Sequence, residues 1–228
     1  MNVFSTLDLV ALAWFASAWG GYAIAVEWTK HGNDSLNARM NRYREVWMRR
    51  MLDREQRMVD MQIMASLQNG TAFFASTSLI AVGGALTLLR STDEALAVIA
   101  TLPFGIETTR VQWEIKTIGL VLVFVYAFFK FAWSYRLFNY VAILLGGMPF
   151  STEKDTPEAE AHVMRTTRLF QSAGRHFNRG QRAFFFALGY LGWFLGPFVL
   201  MASTAAIVAV LWWRQFASEA RLAVVDGK

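Results

Sequence analysis

Four long apolar runs constrain this chain more than any other feature of its sequence. They cover residues 4–26, 65–89, 117–147 and 183–213. Each is longer than the roughly 20 residues that an α-helix needs to cross about 30 Å of hydrocarbon. Only 17% of the residues are charged, so a soluble bundle that buried all four runs would have too little polar surface. We predict an all-α, polytopic membrane protein, a single membrane domain over residues 1–228, with transmembrane helices at about 5–27, 65–89, 117–137 and 184–212.

The third run is longer than a bilayer requires. Residues 115–148 number 34, which gives about 51 Å at 1.5 Å per residue if they form one helix. Either this helix projects well past the membrane, or it breaks and residues 141–145 lie along the interface. Gly146, Gly147 and Pro149 are expected to end it.

Lysine and arginine are distributed unevenly among the connecting segments. Eight lie in residues 29–64 and six in 148–182, whereas three lie in 90–116 and three in the C-terminal tail. Cytoplasmic segments of membrane proteins carry the excess of basic residues. We therefore predict a multi-pass protein of the inner (plasma) membrane with cytoplasmic loops at about 29–64 and 148–182 and both termini extracytoplasmic. The net charge of +5 comes without a nucleic-acid-binding motif, so no nucleic-acid partner is expected.

Both cytoplasmic loops have the composition of amphipathic helices. Residues 38–64 lack Gly and Pro, contain six of the ten Met, and place apolar residues at helical spacing. This predicts a 38–64 helix that either packs on its own bundle or binds a membrane-protein partner.

In the second loop, Thr156, Pro157 and Glu158 form a helix-start signal. The helix is expected to run from 157 to about 178 and to stop near Gly180. Its arginines either contact anionic lipid headgroups or form a solvated face.

Signals for catalysis and for cofactors are weak. The absence of Cys excludes a thiol nucleophile and Cys-ligated metal sites. The three histidines lack metal-ligand spacing, and no hydrolase, phosphate-loop or dinucleotide fingerprint occurs. We expect no enzymatic activity, no cofactor and no metal.

Polar residues within the second and third runs are the candidates for function, because charges are costly in lipid. Lys130 and Ser134 are four residues apart and share a helix face. Two interpretations remain open: the cations line a polar path that favours anions, or they snorkel to the interface. The residues of this pore or polar seam are Ser76, Thr77, Ser78, Lys130, Ser134, Arg136 and Asn139.

Small residues and one proline mark sites of helix packing. Gly83 and Gly84 lie in the second run, and Gly192 and Gly196 form a GxxxG pair in the fourth. Such residues allow close approach between helices. Pro197 is expected to kink the fourth helix.

Three segments carry a resemblance to a known family. They are Asn69-Gly70-Thr71-Ala72-Phe73-Phe74-Ala75-Ser76-Thr77-Ser78, the string from Phe128 to Tyr140 (FFKFAWSYRLFNY), and Trp193-Phe194-Leu195-Gly196-Pro197. The chain resembles the domain of unknown function 599 family over roughly residues 5 to 215. The resemblance implies a four-span membrane protein of a kind found in bacteria and plants, and it implies no activity. It also marks matching positions as a shared structural or functional core: Ser76, Thr77, Ser134, Arg136, Asn139, Gly196 and Pro197.

Two functional hypotheses follow from these observations. The first is an oligomeric channel or transporter-like protein with a positively charged path and a preference for anions. Since a chain with four spans commonly encloses a path only by association, this hypothesis includes a homo-oligomer. The alternative is a non-enzymatic accessory or scaffold subunit of a membrane complex, which binds its partner through the 38–64 helix.

Overall fold

The computed structural model describes residues 3–101 and 108–225, and all regular structure in these residues is helical. The α-helices are α1 (Thr6–Trp28), α2 (Leu36–Met51), α3 (Met58–Arg90), α4 (Thr92–Ala100), α5 (Arg110–Gly146), α6 (Pro157–Tyr190), α7 (Pro197–Phe216) and α8 (Glu219–Val225). Short 3₁₀ segments lie at Lys30–Asp34, Ser151–Glu153 and Leu191–Leu195. Four helical segments are long and apolar enough to cross a membrane: α1, α3, α5 and Pro197–Val224. The all-α, polytopic membrane fold is thus confirmed.

The chain divides into two compact units, and the single membrane domain over residues 1–228 stays a prediction. Unit 1 comprises residues 1–36, 78–126 and 182–228, and unit 2 comprises 37–77 and 127–181. The boundaries fall inside α3, α5 and α6, so each of these helices contributes residues to both units.

In unit 1, α1 and α7 run side by side in the same direction. The indole nitrogen of Trp14 donates to the carbonyl oxygen of Met201 at 3.3 Å, and the Tyr22 hydroxyl donates to that of Leu211 at 3.1 Å. The residue numbers rise together along the two helices, which makes them parallel. Because α1 and α7 are parallel, a segment between them in the sequence must bring the chain back to the end of unit 1 where α1 begins.

The end of α6 supplies that return segment. A Cβ atom built on Gly189 would lie 3.2 Å from Ile207, and the Phe185 ring lies under the Arg214 guanidinium at 5.4 Å. Along the same direction, residue numbers decrease on α6 and increase on α7. The two segments are therefore antiparallel. The sequence predicted one helix for the fourth apolar run. The run instead forms the end of α6, a break and α7.

This return segment changes where the chain ends lie within unit 1. Near the start of α1, the backbone of Val3 accepts a hydrogen bond from Gln112 at 2.6 Å. Beyond the other end of α1, the Asp34 carbonyl accepts one from Arg221 of α8 at 3.0 Å. The two described ends thus lie at opposite ends of α1. The sides of the membrane on which the two termini lie stay a prediction.

Unit 2 is held together by an apolar core from its four helical segments. Its fully buried side chains include Met48 and Met51 of α2, Met64 of α3, Val141 of α5 and Val163 of α6. Of the six methionines in residues 38–64, Met48, Met51 and Met64 pack in this core, whereas Met40, Met58 and Met61 are exposed.

The predicted single helix over 38–64 is wrong, because the chain turns at residues 52–57 between α2 and α3. Two arginines fix this turn. Arg54 bonds to Asp60 at 2.8 Å, and Arg57 donates to the carbonyl oxygens of Met148 and Pro149 at 2.7 and 2.5 Å. The turn lets the methionines on both sides of it reach the same core.

The helix-start signal at Thr156 is confirmed, since α6 begins at Pro157 and the Ala159 amide donates to the Thr156 hydroxyl at 3.2 Å. The predicted stop near Gly180 is wrong. A Cβ atom on Gly180 would lie 2.7 Å from the buried Phe131 ring. Gly180 therefore permits close packing within a helix that continues to Tyr190.

The third apolar run forms one unbroken helix. α5 has 37 residues and is about 55 Å long at 1.5 Å per residue. Of the two structures proposed from sequence, the projecting helix is therefore the one observed, and it ends at Gly146 as predicted.

Candidate functional site

The break between α6 and α7 gives unit 1 its most unusual backbone. After α6 ends at Tyr190, a 3₁₀ turn leads to Gly196, whose φ is 127° and ψ 166°. Side chains are strained in this region, which is essentially restricted to glycine. Pro197 then begins α7 at a position where no helical N–H is required. The sequence at this point enforces a break rather than a kink.

Ser203 of α7 fastens the break. Its hydroxyl lies 2.6 Å from the Gly189 carbonyl oxygen, at the end of α6. Gly192 lies so close to α7 that a Cβ atom there would be 2.6 Å from the Ser203 Oγ and 2.9 Å from the Val199 carbonyl oxygen. The carbonyl groups freed by the end of α6 thus receive partners, as a buried helix end requires.

A lysine of α5 reaches this break. Lys116 is 5% exposed, and its ammonium group donates to the Trp193 carbonyl oxygen at 2.9 Å. The same ammonium lies 5.3 Å from the centroid of the Trp193 ring. A lysine this deeply buried carries a large desolvation cost, which a carbonyl and an aromatic face offset only in part.

A carboxylate of α1 completes the cluster. Asp8 is 9% exposed, and its Oδ1 accepts the Trp193 indole N–H at 2.9 Å. Its Oδ2 accepts the Ser5 hydroxyl at 2.6 Å, and the Asp8 amide donates back to that hydroxyl at 3.1 Å. Trp193 therefore connects the two charges, with its indole on Asp8 and its backbone on Lys116. We call Asp8, Lys116 and Trp193 the break-site cluster.

Aromatic rings surround the break-site cluster. Phe4 stacks on Trp193 with 5.3 Å between ring centroids, and Tyr190 meets it edge-on at 5.4 Å. Gly119 makes room for the Tyr190 hydroxyl, because a Cβ atom there would lie 2.0 Å from it. This apolar wall lowers the local dielectric, which strengthens the attraction between the opposite charges.

A second buried charge pair lies at the other end of α1. Glu27 accepts a hydrogen bond from Arg182 of α6, whose side chain is 10% exposed. Asp8 and Glu27 are separated by about 28 Å along the helix at 1.5 Å per residue. This distance is close to the thickness of the hydrocarbon layer, so α1 carries one charge pair near each face.

The predicted polar seam in α3 has three different environments. Ser76 is exposed, and Ser78 is fully buried. The Thr77 hydroxyl donates to the Phe73 carbonyl oxygen of its own helix at 2.8 Å. Thr77 thus uses its hydroxyl within the helix, as threonines in apolar helices commonly do.

The predicted seam residues of α5 are also divided. The buried Ser134 donates to the Ala173 carbonyl oxygen of α6 at 2.8 Å, which is a packing contact. Asn139 accepts a hydrogen bond from Gln68 of α3 at 2.7 Å. Lys130 is half-buried. The exposed Arg136 donates to the Tyr140 hydroxyl at 2.7 Å. A continuous path along these residues stays a prediction.

The packing positions predicted from sequence differ in their surroundings. Gly192, Gly196 and Pro197 build the helix break described above. A Cβ atom on Gly83 or Gly84 would meet no neighbour within 4 Å among the described residues, its own helix backbone apart. These two glycines leave an open face on α3.

The arginines of α6 that were predicted to face lipid headgroups or solvent lie at the surface of unit 2. Arg165, Arg168 and Arg175 are exposed, and Arg179 is half-buried. Burial and the nearby Arg175 lower the pKa of Arg44, a guanidinium that stacks over the Phe170 ring at 5.2 Å. In the described residues, no group of three or more His, Asp or Glu side chains is placed to hold a metal ion.

Sequence reasoning missed the break-site cluster, although each member was visible. Asp8 lies near the start of the first apolar run, and Lys116 is one of the three basic residues in 90–116. Two sequence features could have indicated the cluster. Lys116 directly precedes the third apolar run, and the pair Gly196-Pro197 lies inside the fourth apolar run. What joins them is a contact across 77 residues of chain.

Comparison with known proteins gives a family and no solved relative. The family model described as "Protein of unknown function, DUF599" matches residues 10–220. No curated protein and no solved structure matches the chain.

Proposed function

The chain belongs to the DUF599 family, and from this premise we propose that it is a transporter-like protein of the inner membrane that moves small anions by way of the break-site cluster. The observation that carries the proposal is the hydrogen bond from the buried Lys116 ammonium to the Trp193 carbonyl oxygen at the helix break. Transporters commonly place their substrate sites at discontinuous helices, where backbone groups are released from helical hydrogen bonding.

The chemistry of the cluster favours an anion. Within residues 3–101 and 108–225, the Lys116 ammonium makes one hydrogen bond, to the Trp193 carbonyl oxygen, and an ammonium group has three donors. α7 begins at Pro197, four residues after Trp193, and helix N-termini favour negative charge. An anion would replace the Trp193 carbonyl as the partner of Lys116, and Asp8 would keep the cluster near neutrality when the site is empty.

The proposal includes an orientation in the membrane. With the C-terminal tail on the same side as the two basic segments, that side carries 17 Lys and Arg, against three in residues 90–116. The positive-inside rule then places the start of α1 outside and α8 in the cytoplasm. We propose this orientation in place of the one predicted from sequence, in which both termini are extracytoplasmic.

We further propose that the protein works as a homo-oligomer. Gly83 and Gly84 support this, because an open face of small residues lets the backbone of another helix approach closely. No catalytic chemistry is assigned to the chain.

The test is ion flux into liposomes that contain the purified protein. Wild type should take up chloride and nitrate in preference to potassium, and Lys116→Met should reduce anion uptake at least tenfold. Arg110→Gln is the matched charge control, because Arg110 lies on the same helix with its side chain 60% exposed. Thermal stability and oligomer mass are measured for each variant.

The possible outcomes separate the hypotheses. If Lys130→Met reduces anion flux and Lys116→Met leaves it unchanged, the anion path follows the polar seam predicted from sequence and not the break-site cluster. Absence of flux from well-folded wild type would contradict transport and favour the accessory-subunit hypothesis.

A further inference from the structure

We propose that a pocket between α2 and the start of α3 binds the headgroup of a phospholipid with a primary ammonium group. The pocket has a volume of about 280 Å³. We call it the Asp60 pocket, and its lining residues are Tyr43, Val46, Trp47, Arg50, Arg54, Asp60 and Ile63. All of them belong to unit 2.

Asp60 is the residue that indicates a ligand. It is 1% exposed, and its Oδ1 accepts hydrogen bonds from the Trp47 indole at 2.6 Å and from Arg54 at 2.8 Å. Its Oδ2 is buried and has no hydrogen-bond partner among the described residues. An unsatisfied buried carboxylate oxygen is costly. A ligand that donates an N–H to this atom would remove the cost.

The other walls of the pocket complement the rest of such a headgroup. Arg50 is exposed and Arg54 is 46% exposed, so both guanidinium groups can reach a phosphate at the pocket mouth. Trp47 and Tyr43 also line the pocket, and aromatic rings attract an ammonium group. The buried Asp60 Oδ2 would bind the ammonium group of the headgroup, and the exposed Arg50 and Arg54 would bind its phosphate.

The position of the pocket along the chain favours a lipid as the source of this headgroup. Asp60 precedes the apolar run that begins near Ala65 by five residues, or about 7.5 Å of helix. This is close to the thickness of one interfacial layer of a bilayer. Met58 and Val59 beside it are 76% and 64% exposed, which suits contact with lipid chains.

The test compares lipids that differ only at the ammonium group. Phosphatidylethanolamine and phosphatidylcholine with identical acyl chains are titrated into delipidated protein in detergent, and binding is measured by native mass spectrometry. Wild type should bind the ethanolamine lipid about tenfold more tightly, because the choline group has no N–H to donate to Asp60.

Variants separate the two parts of the site. Asp60→Asn should abolish the tenfold preference, whereas Arg50→Gln should weaken both lipids to a similar degree. Asp53→Asn and Arg42→Gln are the matched controls, since both residues are exposed and neither lines the pocket. Both controls should behave as wild type.

Equal binding of the two lipids by wild type would overturn the proposal, and this result does not depend on any variant folding. So would a preference that survives in Asp60→Asn. Soluble glycerophosphoethanolamine that binds as tightly as the lipid would overturn the assignment to a membrane lipid.

Discussion

At the scale of single residues, Gly180 shows how one missing side chain sets a helix contact. A glycine late in a charged segment predicted a helix end, because glycine lowers helix stability. In the folded chain the Phe131 ring occupies the space where a Cβ atom would be, and this ring is fully buried and cannot move aside. The glycine is needed for packing between α5 and α6, and packing outweighs its low helix propensity.

Gly180 and Gly70 offer a matched test of this account. Both lie inside long helices of unit 2, but a Cβ atom on Gly70 would meet no described neighbour within 4 Å. Gly180→Ala should lower the free energy of unfolding by about 1–3 kcal/mol through overpacking. Gly70→Ala should raise it by up to about 1 kcal/mol. Thermal unfolding in detergent measures both, and a similar gain for the two variants would contradict the packing role.

The buried charges illustrate what a residue's own sequence position can indicate. Asp8 and Glu27 lie near the two ends of the first apolar run. Their partners, Trp193 and Arg182, are 185 and 155 residues away. Local sequence gives the depth of a charge, whereas the identity of its partner depends on how helices pack.

At the scale of elements, the break between α6 and α7 decides how the fourth apolar run is used. Hydrophobicity is continuous through residues 183–213, so composition alone predicts one span. Gly196 adopts a backbone conformation that L-residues avoid, and Pro197 begins a new helix. One apolar run therefore supplies two antiparallel segments.

Alanine at Gly196 tests the importance of this backbone. Gly196→Ala should lower the free energy of unfolding by about 1–3 kcal/mol, because a φ of 127° strains any side-chain-bearing residue. It should also reduce anion uptake, since the Trp193 carbonyl would shift away from Lys116. Gly20→Ala is the control, because Gly20 is helical and a Cβ atom there would meet no described neighbour within 4 Å. If Gly196→Ala leaves both stability and anion uptake unchanged, the helix break has no role in transport.

The turn between α2 and α3 is a second case in which elements differ from sequence. Residues 38–64 have helix-forming composition throughout, yet the chain turns at 52–57. The hydrogen bonds of Arg54 and Arg57 and the shared methionine core stabilise the turn more than a continuous helix would be stabilised by local propensity. Helix propensity differs by less than about 1 kcal/mol per ordinary residue, so tertiary contacts override it.

At the scale of the whole molecule, the orientation that we propose places the start of α1 outside and α8 in the cytoplasm. These 228 residues contain no Cys, so single-cysteine variants of this chain have no labelling background. In spheroplasts, a membrane-impermeant maleimide should label Val3→Cys. It should label Glu219→Cys and the loop variant Glu55→Cys only after permeabilisation. Labelling of Glu219→Cys in intact spheroplasts would restore the orientation predicted from sequence.

The sequence by itself determined that this chain is a helical membrane protein of the DUF599 family, that α5 ends at Gly146, and that α6 begins at Pro157. These properties depend on the length, composition and capping of contiguous segments, which are local. Only the tertiary structure decided that the fourth run divides in two, that Gly180 is a packing position, and that Asp8 and Lys116 meet at Trp193. These properties depend on contacts between segments far apart in the chain, because buried charges and close-packed rings take their energies from neighbours that no local pattern specifies.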